Sequence, residues 1–397
     1  MGDFNFDVIA AGHLCLDMIP HFRTDRDTTS IAELLQPGTL VHMGEMTIST
    51  GGSVSNVGIA MKIFGCSVAF VAKVGGDAIG RTIIEILEKN GSAEGIAVAE
   101  GEASSYTVVV SPPKIDRIFM HCPGTNDTFT AADLNMKAVE KSRLFHLGYP
   151  TLMRSLFVDD GRELANILKM VKQAGVTTSL DISLPDPDSE AGRADWRKIY
   201  ERSLPFVDIF VPSIEESFFT LHPREYLKRK EAQGGQELID FVSPEEVGGF
   251  AQEYLSLGCS IAVLKAGHNG WYIRTTARDR IAAVGRAAPA DPGTWADREL
   301  WCPAFRTDTV AGAVGAGDCS IAAFLTGLLR DHPIEECLKL ANCAGYLNLR
   351  AVDTLSGLGS WEEVKSTYPN LPVRDTAFLS DGWNWDERLK IWEKSRT

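Results

Sequence analysis

The chain has 397 residues, with 39 Lys and Arg against 53 Asp and Glu for a formal net charge of -14, and 44% of its residues are hydrophobic. At about 150 residues per domain this length admits two or three domains, or one large α/β unit carrying an insertion. The composition excludes a disordered chain, and the lack of any Lys/Arg block argues against a nucleic-acid or anionic-membrane surface, where attraction comes from clustered positive charge.

The first run, DVIAAG at 7–12, predicts a strand, and the residues before it lack the basic start and long apolar core of a secretory signal. A glycine pair then opens a helix at about 54–64, followed by a strand SVAFVAKV at 67–74 and a helix TIIEILEKN at 82–90. Further strands are predicted at LFHLG (144–148), VTTSLDI (176–182), VDIFVP (207–212) and SIAVLKAG (260–267), with helical stretches between them. Alternation of this kind marks βαβ units and a mostly parallel sheet. Residues 13–50 and 103–122 break the rhythm, and SYTVVV and RIFMH flank a Pro-Pro turn as a hairpin. Both regions are expected to form a small β lid inserted into the core. The Ala-, Gly- and Pro-rich stretch 275–300 reads as a hairpin or surface excursion, and Trp383, Trp385 and Trp392 predict that the end of the chain packs as an arm. The longest apolar candidate for a membrane span, 309–329, is broken by Asp318 and by glycines, so no membrane association is expected. The eight cysteines show no C-x-x-C pair and no histidine at metal-ligand spacing, which suggests buried thiols in a reducing cytoplasm.

Chemistry concentrates in GAVGAGDCSIAAFLTGLL at 312–329, where glycines crowd ahead of an apolar helix. A glycine-rich turn at a helix N-terminus presents several backbone N–H groups to an anion. Asp318 would repel a phosphate there unless its task is to take a proton from a hydroxyl attacking phosphorus, and phosphoryl transfer needs that combination. Asp318 could equally be the helix N-cap. A second signal is GGSVSNVGIAMKIFG at 51–65, where Gly51 and Gly52 let backbone approach a ligand and Asn56 offers the donor and acceptor that a polyol needs; a plain turn with a capping Asn56 is the alternative. Asp17, just beyond the first strand, can accept two hydroxyl hydrogens or cap a loop. The run GGDAIGRT at 75–82 nearly matches a P-loop, but Arg81 stands where a compact Lys charge is required.

GG-x-x-x-N near the start and G-A-G-D before a late helix resemble the ribokinase-like, or PfkB, family of carbohydrate kinases. Supporting pieces follow in the same order: AGHLCLDMIP with Asp17, VGGDAIG at 74–80, RIFMHCPGTN at 117–126, FVPSIEE at 210–216, VLKAGHNG at 263–270 and ANCAGYLNL at 341–349. The resemblance implies a three-layer α/β/α core with a mostly parallel sheet, from 1–12, 51–97 and 129–365. It implies a β lid from 13–50 and 98–128, and it leaves 366–397 as a C-terminal arm. It further implies ATP- and Mg2+-dependent phosphorylation of a sugar hydroxyl. Asp318 would be the base, and the amides of Gly315, Ala316 and Gly317 the anion hole. Asp17, Gly51, Gly52 and Asn56 would contact the sugar, Glu216 would help hold magnesium, and Ser213, Lys265, Gly267, Gly270 and Asn342 would line the nucleotide.

Three departures modify the expectation. Gly312-Ala313 replace the family's Asp-Thr, which counts against monovalent-cation activation; Ser213 replaces the Asn of N-x-x-E; and Ser53 stands where ribose kinases often carry Lys. Two alternatives follow. One is a nucleoside or sugar-phosphate kinase on the same fold, for which Arg23, Arg26, Lys73 and Arg117 are available. The other is a non-catalytic metabolite-binding homologue. The exposed lid face offers a surface for a homodimer.

Overall fold

The computed structural model describes residues 4–23, 30–112, 115, 118–233, 238–351, 353–376, 379 and 382–395. The strands are β1 (Phe6–Gly12), β2 (Cys15–Phe22), β3 (Met43–Gly51), β4 (Val68–Gly75), β5 (Ser92–Ala99), β6 (Tyr106–Val110), β7 (Ile118–Cys122) and β8 (Ser142–Gly148). They continue with β9 (Thr177–Asp181), β10 (Ile209–Phe210), β11 (Ile261–Lys265), β12 (Trp271–Thr275), β13 (Glu299–Cys302), β14 (Trp383–Asp386) and β15 (Ile391–Lys394). Eleven of them form one sheet in the order β14-β15-β13-β12-β11-β10-β9-β8-β1-β4-β5. The stretch from β5 to β11 is parallel throughout, and β12, β13, β15 and β14 extend it antiparallel.

Because side chains alternate along a strand, β1 feeds both faces of the sheet. Val8 and Ala10 enter the core beneath the helices Ser53–Ile63, Ala316–Leu329 and Ile334–Asn348. Ile9 and Ala11 enter a second core with Trp196, Tyr200, Phe218 and Tyr254. These two apolar layers make the α/β/α sandwich. The Ala316–Leu329 helix is buried from Asp318 through Leu329, since it lies between the Ser53–Ile63 and Ile334–Asn348 helices as well as on the sheet.

β2, β3, β6 and β7 form a separate four-stranded sheet in the order β3-β2-β6-β7. Only His13 and Leu14 separate β1 from β2, so the small sheet rises directly from the carboxyl end of β1. Asn126 clamps this junction by donating to the Leu14 carbonyl at 3.0 Å and accepting from the Leu14 N–H at 3.3 Å.

Two stretches differ from the sequence reading. Residues 275–300 are not a surface excursion: they contain the short helix Arg278–Ala282 and bury Ile281, Val284 and Trp295 to 0%, 0% and 1% exposure. Their apolar residues are spaced irregularly among Pro and Gly, which hid the burial. The end of the chain does more than pack as an arm. Its hairpin β14–β15 joins the main sheet against β13, with Leu300 opposite Glu393 and Trp301 opposite Trp392.

Candidate active site

In this sheet the chain leaves β1 toward β4 on one side and returns to β8 on the other. Open α/β sheets bind ligands at the carboxyl ends of strands flanking such a reversal. His13 follows β1, Tyr149 follows β8, Asp181 ends β9 and Lys265 ends β11. They face the start of the Ala316–Leu329 helix.

Gly315 precedes that helix with φ 75, in the left-handed region that favours glycine. The turn leaves Asp318 as the third helical residue, and no side chain caps the helix, so the N-cap reading fails. The Asp318 carboxylate instead accepts from the Tyr149 hydroxyl at 2.7 Å and from Asn56 Nδ2 at 2.9 Å. It is 3% exposed. Burial raises its pKa above the ordinary 3.8, and the bonds from Tyr149 and Asn56 and the Lys265 charge oppose that rise. A buried carboxylate so tuned is suited to accepting a proton.

Asn56 does not cap its own helix; Gly52, at φ 87, is the N-cap of Ser53–Ile63. A Cβ on Gly52 would lie 2.6 Å from His13 Nδ1, and one on Gly51 would lie 2.1 Å from Asp17 Oδ2. Both glycines therefore admit a neighbouring side chain. Asp17 Oδ1 accepts from the Cys15 thiol at 3.4 Å, and burial raises its pKa. Tyr149 links the two ends of this wall, with its ring centroid 6.3 Å from that of His13.

Lys265 Nζ lies 2.5 Å from Asp181 Oδ1 and 3.8 Å from Glu216 Oε2. Burial raises the pKa of both carboxyls and the Lys265 charge opposes it. The 2.5 Å contact favours an ionised Asp181–Lys265 pair. Ser213 caps the Ile214–Leu221 helix reciprocally with Glu216: its hydroxyl accepts from Glu216 N–H while its own N–H donates to Glu216 Oε2 at 2.5 Å. Asp181 Oδ2 is buried without a hydrogen-bond partner. Two converging carboxylates, one with an oxygen still unsatisfied, fit a hard oxygen-seeking cation such as Mg2+.

A cleft of about 440 Å³ joins Lys265, Gly267, Ala316, Gly317, Asn342 and Tyr346. Of the sequence-selected nucleotide residues, Gly270 serves the turn into β12: at φ 96, a Cβ there would meet the Cys302 carbonyl at 2.1 Å. Asn342 lines the cleft but donates to the Cys302 and Pro303 carbonyls, both at 3.1 Å.

Sequence reasoning missed Tyr149 and Asp181. Their only signal is position, immediately after β8 and at the end of β9. At the P-loop lookalike, Asp77 caps the Ala78–Glu88 helix, accepting from Gly80 N–H at 2.8 Å, and so fills the place a phosphate would take. Lys73 is held by Glu102 at 3.2 Å and by the Thr128 carbonyl at 3.1 Å, which removes it from any basic cluster. Arg26 and Arg117 lie outside the described residues.

The family model for pfkB family carbohydrate kinases matches residues 18–358. An uncharacterised sugar kinase of Archaeoglobus fulgidus is 25% identical over 279 residues, covering 70% of this chain and 89% of its own. Fructokinase-2 of Oryza sativa is 29% identical over 355 residues, 86% of this chain and 87% of its own. Among solved structures, Arabidopsis thaliana ribokinase complexed with ribose and ATP superimposes with a TM-score of 0.66 at 17% identity, covering 91% of this chain and 98% of its own. A putative ribokinase II from E. coli in complex with ATP and Mg2+ gives 0.63 at 18% identity, covering 91% and 98%. Among the described residues no helix is long and apolar enough to cross a membrane. With the family model spanning most of its length, the chain belongs to the pfkB family of carbohydrate kinases.

Proposed function

We propose that the chain transfers the γ-phosphoryl group of ATP to a hydroxyl of a sugar or sugar-like alcohol, with Asp318 as general base. The observation that carries this reading is the placement of a buried carboxylate in the first turn of a helix whose N-terminus opens on the cleft. The first N–H groups of a helix have no intrahelical acceptor, so those of Gly315 and Gly317 are suited to an anion, and the Ala316 N–H, which donates to the Ala313 carbonyl at 3.3 Å, would turn from it to join them. Asp318 takes the proton of the acceptor hydroxyl, the hydroxyl oxygen attacks the γ-phosphorus in line, and ADP leaves. Charge on the transferred group meets the 315–317 amides and Lys265. Each carboxylate oxygen has two acceptor directions, so Tyr149 and Asn56 orient Asp318 and still leave room for the acceptor hydroxyl. Asp181 and Glu216 would hold Mg2+, which would supply neutralisation of the negative charge on the transferring phosphate. The β2-β3-β6-β7 sheet, which itself carries Asp17 and Gly51, acts as a lid over an acceptor held at Gly52 and Asn56 and excludes water from the transfer.

The fructokinases among the relatives make fructose the first acceptor to assay, and the commitment of Lys73 to Glu102 weighs against a phosphorylated one. The free thiols suit a reducing compartment, and the cytoplasm is the proposed location. Replacing Asp318→Asn is expected to lower turnover roughly 10²–10⁴-fold, the usual worth of a general base, while ATP binding persists. Full turnover by that variant overturns the assignment.

A further inference from the structure

We propose that His13, Cys15 and His121 form a three-ligand site for a zinc-like divalent cation at the root of the small sheet. One ligand atom from each of the three lies within 4.8 Å of the others. His13 Nε2 and His121 Nε2 face each other at 3.5 Å. In a tetrahedral site with bonds of about 2.0–2.3 Å, ligand atoms stand roughly 3.3–3.8 Å apart, so the two imidazoles already stand at that separation and the Cys15 sulfur has to close in by at most about 1 Å.

Thr107 gives the group its orientation. Its hydroxyl lies 3.0 Å from His121 Nδ1 and 3.6 Å from Cys15 Sγ. With His121 Nδ1–H donating to Thr107 and Thr107 O–H donating to the sulfur, the lone pair of His121 Nε2 is left aimed at His13. An outer hydroxyl fixing the far nitrogen of an imidazole is what metal sites use to set its tautomer. His13 and Cys15 are each 3% exposed, and with His13 Nδ1 turned to Gly52 its Nε2 is the nitrogen that faces the site. His121 is exposed, which gives a cation a way in. Imidazole and thiolate prefer zinc, cobalt or copper to magnesium, so this site is chemically separate from Asp181 and Glu216.

Binding replaces the Cys15 S–H bond by a sulfur–metal bond and releases the proton to solvent. Its consequence rests on the kinase reading: the cation would tie β7 to the end of β1 and to the start of β2, beside the proposed sugar contact Asp17, holding the lid against the acceptor. The cation is thus an inhibitor at the acceptor side.

The test is a Co2+ titration of the full chain under a non-chelating reductant. The expected result is one cobalt per chain, with thiolate-to-cobalt charge transfer, the intense visible bands of tetrahedral cobalt, and displacement by zinc. His121→Ala should abolish these signals, and Thr107→Val should weaken affinity roughly 10–100-fold, with circular dichroism and the unfolding midpoint reporting that both variants fold. Lack of a thiolate band in the native chain, or a band unchanged in folded His121→Ala, overturns the proposal. The spectrum needs no phosphoryl transfer, so its failure and that of the kinase assay are separable.

Discussion

Two glycines with a single residue between them should respond oppositely to the same methyl group. At Gly315 the backbone has φ 75, and an added Cβ would lie 2.0 Å from Thr354 Cγ2 and 2.8 Å from Thr354 Cβ. A left-handed non-glycine residue costs about 1–2 kcal/mol and overpacking about 1–3 kcal/mol. Gly315→Ala should therefore lose about 2–5 kcal/mol, a large part of the roughly 5–15 kcal/mol that holds a protein folded. At Gly317 the nearest atoms to an added Cβ are Lys265 Cδ at 3.8 Å and Cε at 4.0 Å, which is ordinary contact. Removing a helical glycine is worth up to about 1 kcal/mol, so Gly317→Ala should fold as well as the parent or better. Its methyl, however, points toward Lys265 where the transferred phosphoryl group is proposed to lie. The expected outcome is at least a tenfold loss of kcat/KM for ATP, about 1.4 kcal/mol of transition-state binding. Urea unfolding followed by tryptophan fluorescence reads the first effect, and an ADP-coupled assay the second. Parental stability in Gly315→Ala would refute the packing argument, and parental ATP kinetics in Gly317→Ala the anion-hole placement.

Three further outcomes are expected. Asp318 must be ionised to act, and its pKa is already raised by burial, so activity should fall as pH drops through that raised value; Tyr149→Phe removes a bond that lowers it, and the acid limb of the pH–rate profile should move upward. Lys265→Met leaves Asp181 and Glu216 buried without their cation and should cost about 3–5 kcal/mol near neutral pH. Since a carboxyl with a raised folded pKa binds its proton more tightly in the folded state, the stability of that variant should rise as pH is lowered, and denaturant midpoints across pH would show it. Finally, Met46, Ile48 and Met120 are 51%, 50% and 52% exposed on one face of the small sheet, a surface that a second copy would cover. Ile48→Asp should shift the mass in solution from dimer to monomer, read by light scattering.

Legibility followed locality. The Ser53–Ile63 helix and β4 could be read because a glycine turn, a helical period and a β-rich run each act over a few neighbours. Asp318 and Asn56 were visible for the same reason, each sitting at a helix start marked by glycines. Tyr149 and Asp181 carry no such mark, since what makes them part of the site is the strand order that sets β8 and β9 beside β1. Asn342 and Gly270 show the converse: both belong to a recognisable motif, yet the amide of one and the missing side chain of the other serve the backbone of residues 302–304. His121 joins His13 and Cys15 only through the pairing of β2 with β6 and of β6 with β7. Spacing along the chain could not disclose it.

The two donors that hold Asp318 lie 262 and 169 residues earlier in the chain. During synthesis, Asn56 and Tyr149 therefore leave the ribosome long before the carboxylate they serve exists. β15, which pairs with β13 and extends the sheet, comes later in the chain than Asp318 itself. A nascent chain can form the parallel strands β1, β4, β8 and β9 while it still lacks the proposed base, so an unfinished molecule would have no means of consuming ATP.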